Sequence, residues 1–112
     1  MGVQNWSDNI ILVNLTKEPQ MGEDLQMTIE MVTENGDCDV VVDFAEVDVV
    51  TSSSIAKLLK LRKALQDCAR RLVLSSVNTR TKGVFTVTGL ENIFDFVDDQ
   101  FMGLAGMQLV DS

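Results

Sequence analysis

Apolar and polar positions change their spacing several times along this chain, and each change marks an element. The run "NIILVNL", Asn9 to Leu15, is aliphatic and rich in β-branched residues, the composition of a buried strand. The polar turn "SDN" separates it from a short strand at Val3 to Trp6. From Met21 to Glu34 the spacing becomes helical. Met21, Leu25, Ile29 and Val32 share one face, Glu23 and Asp24 occupy a first turn whose dipole favours acids, and "NGD" at Asn35 to Asp37 supplies the stop. "CDVVVDFAEVDVV" follows, with Val40 to Phe44 as a central strand and Asp43, which breaks the apolar run, at the strand's end. A second helix is predicted from Ser53 to Arg71. There Ile55, Leu58, Leu59, Leu65, Cys68 and Leu72 recur at three- and four-residue spacing, and basic residues take the other side. "RLVLSSV", Arg71 to Val77, returns to strand.

Strand, helix, strand, helix, strand implies a largely parallel sheet joined by right-handed crossovers, with Leu58, Leu65, Val41 and Val73 expected in one core. The next stretch, "NTRTKGVFTVTGLENIFDFVDD", is ambiguous. Gly83 and the run Val84 to Thr88 read as strand on propensity alone. Thr88 and Glu91 have the spacing of a capping box that would open a new helical turn near Gly89. "IFDFVDD" then reads as a last short strand, and "QFMGLAGMQLV" as a terminal helix beginning after Asp99. No internal repeat or low-complexity linker interrupts the pattern. A length of 112 residues, 46% of them hydrophobic, suits one domain, 1–112. The expected class is α/β, a mixed and mostly parallel sheet of four or five strands flanked by about four helices.

Composition narrows the chemistry. No stretch approaches the ~20 apolar residues of a membrane span, and "MGVQNWSDN" lacks the basic and apolar segments of a signal peptide. A soluble, cytoplasmic protein without membrane insertion is expected. Histidine is absent from the sequence, which removes the Ser-His-Asp and Cys-His nucleophile pairs and the HExxH metalloprotease site together. Cys38 and Cys68, outside any CxxC spacing, are expected to be small buried side chains kept reduced, with no metal site. A net charge of -8 repels phosphate backbones, so nucleic acid is not an expected partner. That charge is unevenly spread. Between Thr51 and Arg71 lie six basic residues (Lys57, Lys60, Arg62, Lys63, Arg70 and Arg71) against the single acid Asp67, while the remainder carries three basic and sixteen acidic residues.

The start of that basic helix, "TSSSIAKLL", holds the candidate chemistry. Ser and Thr are favoured at helix starts because their oxygens accept orphan amide hydrogens, at ~1 kcal/mol each. Capping explains one serine, or two. Three in succession leave at least one hydroxyl without a structural purpose. Ser53 with Lys57 one turn on has the residue types of nucleophile and base in a small serine enzyme. That reading ranks last, because Lys57 has no neighbour in sequence to depress its pKa and no oxyanion or substrate pocket is legible.

With its elements in this order the chain resembles the STAS family, the sulfate transporter and anti-sigma-factor antagonist domains. "VVVDFAEVDVVTSSSIAKLL" is similar to that family's strand, Asp-Ser-Ser-Gly loop and helix. "LVLSSVNTRTKGVFTVTGLENIF" is similar to its strand, loop, helix and Thr-Gly-Leu segment, here Thr88-Gly89-Leu90. The resemblance implies that Thr79 to Thr88 is helical despite its valines. In the antagonist branch the second serine of the motif is phosphorylated by a partner kinase, and matching residue by residue puts Ser53 there, with Ser52 before it. Thr51 stands where the family usually has Asp and Ser54 where it usually has Gly, so Ser52, Thr51 and Ser54 are kept as alternative phosphorylation sites.

The function so implied is that of an anti-sigma-factor antagonist. Unphosphorylated, it binds an anti-sigma factor that is also a serine kinase and thereby releases a sigma factor; phosphorylation ends the binding, and a phosphatase restores it. Thr51, Ser52, Ser54, Ile55, Lys57 and Lys60 are the expected partner-binding residues, and the basic face of Lys57, Lys60 and Lys63 is expected to steer an acidic partner surface. ATP and magnesium belong to the kinase, so no cofactor and no enzymatic activity are expected of this chain. The departures at Thr51 and Ser54 keep a second reading, a phosphorylation-independent scaffold or transporter-associated regulatory domain.

Overall fold

The periods of the sequence resolve into β1 (Val3–Ser7), β2 (Ile10–Asn14), α1 (Gln20–Glu34), β3 (Asp39–Asp43), α2 (Ser52–Asp67), β4 (Leu72–Ser75), α3 (Thr79–Val87), β5 (Asp95–Val97) and α4 (Gln100–Asp111). They are seen in a computed structural model that describes residues 2–111. The strands lie side by side in chain order, β1-β2-β3-β4-β5. β1 and β2 form an antiparallel hairpin, and every later neighbour is parallel. Crossovers of one hand that step in one direction leave their helices on one face, and α1, α2 and α3 share it.

Alternate strand residues point to opposite sides of the sheet, so two apolar layers form. Ile11, Val13, Val40, Val42 and Leu74 meet Leu25, Leu58, Leu61, Leu65 and Phe85 on the three-helix face. Ile10, Leu12, Val41 and Val73 meet Leu104 and Met107 of α4 on the other. The expected α/β class and mixed sheet are therefore found, but the single core is corrected. Val41 and Val73 are paired neighbours in β3 and β4 that face away from Leu58 and Leu65. No described helix is long and apolar enough to cross a membrane.

The first two helices depart from the sequence reading, each for a physical reason. In α1, Met21, Leu25 and Val32 are buried as expected. Asp24 is not a solvated first-turn acid, however; it lies in the second turn on the buried side, where its Oδ1 accepts from Gln20 Nε2 at 2.9 Å. Helix α2 ends at Asp67 rather than Arg71, because Ala69 enters the left-handed region (φ 58°) and Arg70 and Arg71 turn back to the buried carboxylate of Asp39. Leu72 consequently belongs to β4, and Cys68, the C-cap, is exposed rather than buried. Cys38 is buried as expected, and burial pushes its thiol above the ordinary range although Arg70 pulls the other way.

The ambiguous stretch is helical. Asn78 caps α3, its Oδ1 accepting from Thr81 N at 2.7 Å. Thr88 does not open a new turn with Glu91. It closes α3, its Oγ1 donating to Val84 O at 2.8 Å, and Glu91 instead accepts from Thr86 Oγ1 at 2.8 Å. Gly89 then takes φ 77°, a conformation that a side chain would strain.

Candidate functional site

The central strand β3 ends in a carboxylate because the chain must leave the sheet there. Asp43 Oδ1 accepts from Ser75 Oγ at 2.8 Å and its Oδ2 from Ala45 N at 3.3 Å, which turns the backbone out of the ladder. The loop that follows is anchored by Val47, whose side chain enters the three-helix core and whose carbonyl accepts from Asn78 Nδ2 at 3.2 Å. One side chain, Asn78, thus holds the β3–α2 loop and caps α3 at once. Beyond this anchor Asp48 and Val49 are exposed, and the chain arrives at Thr51 extended (φ -110°, ψ 166°), ready to cap α2.

Four consecutive hydroxyls stand at that helix start, and they divide into two kinds. Thr51 and Ser54 are committed to each other. Thr51 Oγ1 accepts from Ser54 N at 3.2 Å, Ser54 Oγ accepts from Thr51 N at 2.8 Å, and Ser54 Oγ donates to Thr51 O at 2.8 Å. This is a reciprocal capping box with serine in the place where Glu or Gln usually closes it. Ser54 is accordingly 1% exposed. Ser52 and Ser53 are exposed, and neither hydroxyl forms a hydrogen bond among the described residues. Ser54→Ala should leave the Thr51 amide without its acceptor and lower stability by about 1–2 kcal/mol in denaturant melts, whereas Ser52→Ala should change it by less than about 0.5 kcal/mol.

Ser53 opens onto a groove of about 660 Å³ between α1 and α2. Lys57, one turn further along α2, lines the same groove, and the opposite wall carries Glu18, Glu23 and Glu30 with Met27 between them. Thr51 borders a second recess of about 460 Å³ with Glu18, Glu46, Asp48 and Val49. The structure therefore places Ser53 and Lys57 on one groove and Thr51 on a second recess that shares Glu18 with it, with Ile55 half-buried and Lys60 exposed on the same helix.

Of the basic residues of α2, Lys57 and Lys60 form no ion pair among the described residues, whereas Arg62 and Lys63, like Arg70 and Arg71 beyond the helix end, are held within the molecule. Arg62 Nε donates to Ile93 O at 3.1 Å, Lys63 pairs with Asp67 at 2.8 Å, and Arg70 and Arg71 pair with Asp39. What surrounds Ser53 is mainly acidic. The α1 carboxylates gave no sign of this in the sequence, since nothing in their spacing says which helix they will face. The Thr51–Ser54 lock did leave a sign, Thr and Ser at capping-box separation.

Comparison with known proteins bears on the fold that carries these residues. A family model for the STAS domain matches residues 20–102. Among solved structures, an anti-sigma-factor antagonist (STAS) domain protein from Planctomyces limnophilus superposes with a TM-score of 0.80 at 15% identity, over 95% of this chain and 97% of that one. The Bacillus cell fate determinant SpoIIAA in its phosphorylated form gives 0.69 at 16% identity, over 89% and 93%. A sulfate transporter family protein from Wolinella succinogenes gives 0.75 at 18% identity, over 93% and 88%. At such identities these are likenesses of fold. No curated protein sequence matches. With its strands, crossovers and Thr-Gly-Leu turn in place and the family model spanning most of its length, the chain belongs to the STAS domain family.

Proposed function

We propose that this chain is an anti-sigma-factor antagonist whose binding is switched by phosphorylation of Ser53. One observation carries the reading: Thr51 and Ser54 cap α2 between them, and Ser53 is left exposed, unbonded and facing a groove. Unphosphorylated, the domain binds an anti-sigma factor with serine-kinase activity through Thr51, Ser52, Ser53, Ile55, Lys57 and Lys60. Ser54 supports that surface from beneath. In the transfer, Ser53 Oγ attacks the γ-phosphorus of ATP held with magnesium by the kinase. The new P–O bond forms, the bond to the β–γ bridging oxygen breaks, ADP leaves, and the hydroxyl proton passes to the kinase's base. A phosphatase reverses the modification by hydrolysis. The chain itself acts in the cytoplasm as one binding domain rather than as a catalyst.

Magnitudes decide how the phosphate acts. It adds about -1.5 to -2 charges, and the start of α2 welcomes them by only about 0.3–1 kcal/mol. That is too little to refold the domain. Desolvating an unpaired dianion against a surface fitted to a hydroxyl costs several kcal/mol, enough to abolish a micromolar contact. Phosphorylation therefore acts by exclusion at the interface.

The test is a titration of variants against the cognate anti-sigma kinase, with mass mapping of residues 51–54 after ATP and magnesium are added. Ser53→Ala should keep binding and take up no phosphate. Ser53→Asp should hold its thermal stability while losing about tenfold or more in affinity, about 1.4 kcal/mol. Phosphate on Thr51 or Ser52 would move the switch to another residue. The second reading, a phosphorylation-independent scaffold, is favoured by Thr51 and Ser54 standing where Asp and Gly are usual and locking each other. It would show itself as binding that neither ATP nor Ser53→Asp alters.

A further inference from the structure

We propose that Lys57 is an internal clamp for the phosphoryl group on Ser53, closing onto it along α2 and withdrawing from the acidic wall of α1. The inference deepens the switch reading and rests on it for the identity of the modified residue. Ser53 and Lys57 have the i, i+4 spacing that brings side chains together on a helix surface, and both line the α1–α2 groove. Lys57 Nζ lies over the bare backbone of Gly22: a methyl group there would stand 3.3 Å from Nζ and 3.1 Å from Glu18 Oε1. Glu18 is itself held in place, accepting from Gly22 N at 2.7 Å. Lys57 makes no ion pair among the described residues, so its ammonium is committed to no partner.

Phosphorylation changes what that ammonium sees. The groove already carries Glu18, Glu23 and Glu30 against Lys57, with Glu46 and Asp48 on the loop beside Thr51 and the exposed Lys60 as the next cation on α2. A dianion on Ser53 adds about -2 within one helical turn of Lys57, with three strong acceptor oxygens against the two of a carboxylate. Attraction grows with charge and falls with distance, so the phosphoryl group draws an Nζ that no carboxylate of the wall holds in an ion pair. It also faces the amides of Ser52 and Ser53, which as first-turn donors have no intrahelical acceptor. The clamp thus has two jaws, the helix start below and Lys57 above. Its closure leaves Glu18 without the cation it faced, so the modification registers on α1 as well as α2.

The measurement is a phosphorus NMR titration of protein carrying phosphoserine installed biosynthetically at position 53, so that no kinase is needed. Lys57→Met, which keeps the apolar stem, should raise the second pKa of the phosphate by about half a unit to one unit, and Lys57→Arg should restore it. Glu18→Gln should lower it. Equal midpoints in the parent and Lys57→Met would overturn the clamp, even if a kinase modifies Ser53. Conversely, a kinase that ignores Ser53 would defeat the switch reading without touching this titration.

Discussion

Phe85→Ala is expected to destabilise the fold by about 3–5 kcal/mol, the range of buried aromatic truncations. Phe85 is fully buried and stands edge-on to three other rings. The centroid of Phe44 is 6.4 Å away and those of Phe94 and Phe96 are each 5.6 Å away, with interplanar angles of 80°, 74° and 73°. Such edge-to-face pairs add about 0.5–1.5 kcal/mol each beyond the area they bury. Thr81 and Phe85 are the buried residues of α3, so removing the ring also removes most of what holds that helix to the sheet. The denaturant midpoint should fall with little change in slope, and Phe85→Leu should recover more than half of the loss. A loss below about 1 kcal/mol for the alanine variant would mean that the ring cluster does not anchor α3.

That cluster explains why α3 was hard to read. Gly83, Val84, Thr86 and Val87 favour strand or loop, and Val87 is 87% exposed, so local preference points the wrong way along most of the segment. The deciding contacts come from Phe44, Phe94 and Phe96, none of them in α3, and tertiary packing of this kind overrides propensity. The strands were legible because β2, β3 and β4 are continuous apolar runs with little competing pattern. Their alternation was not, since strands buried on both faces give no polar side to show which residues point where. This is why the sequence pattern alone puts Val41 and Val73 in one core with Leu58, although they face the other side of the sheet. The end of α2 is not legible in sequence because apolar spacing continues through Leu72, while the residue to which the chain turns back, Asp39, lies thirty-odd positions upstream of Arg70 and Arg71. At the site, the hydroxyl cluster was visible in sequence. The acidic wall opposite it depends on how α1 packs on α2.

Asp39→Ala should cost about 2–4 kcal/mol. Its buried carboxylate accepts from Arg71 N at 2.8 Å and from Nη2 of both Arg70 and Arg71 at 3.1 Å, with Arg70 Nε also 3.1 Å away. Breaking a fully buried pair costs about 3–5 kcal/mol. Here the arginine side chains are 24% and 38% exposed and can turn to water, which trims the loss. Asp39→Asn keeps an oxygen for the Arg71 amide and gives up the charge, so its cost should be about half as large. Arg71 Nη2 also donates to Met107 O at 3.4 Å, and hydrogen exchange in α4 should therefore quicken in the alanine variant. Unchanged melting and exchange in both variants would show the ion pair to be energetically idle.

Asn78 has a reach that its size does not suggest. Its amide nitrogen holds the carbonyl of Val47 while its amide oxygen holds the first turn of α3. The two hydrogen bonds share one terminal torsion, so the amide group cannot follow one neighbour without turning away from the other. A partner that draws the Val47 loop outward must either carry Asn78 along and uncap α3, or leave the Val47 carbonyl without its donor. The loop and α3 are thus mechanically geared, and what is pulled on the loop after β3 is felt beyond the neighbouring strand β4.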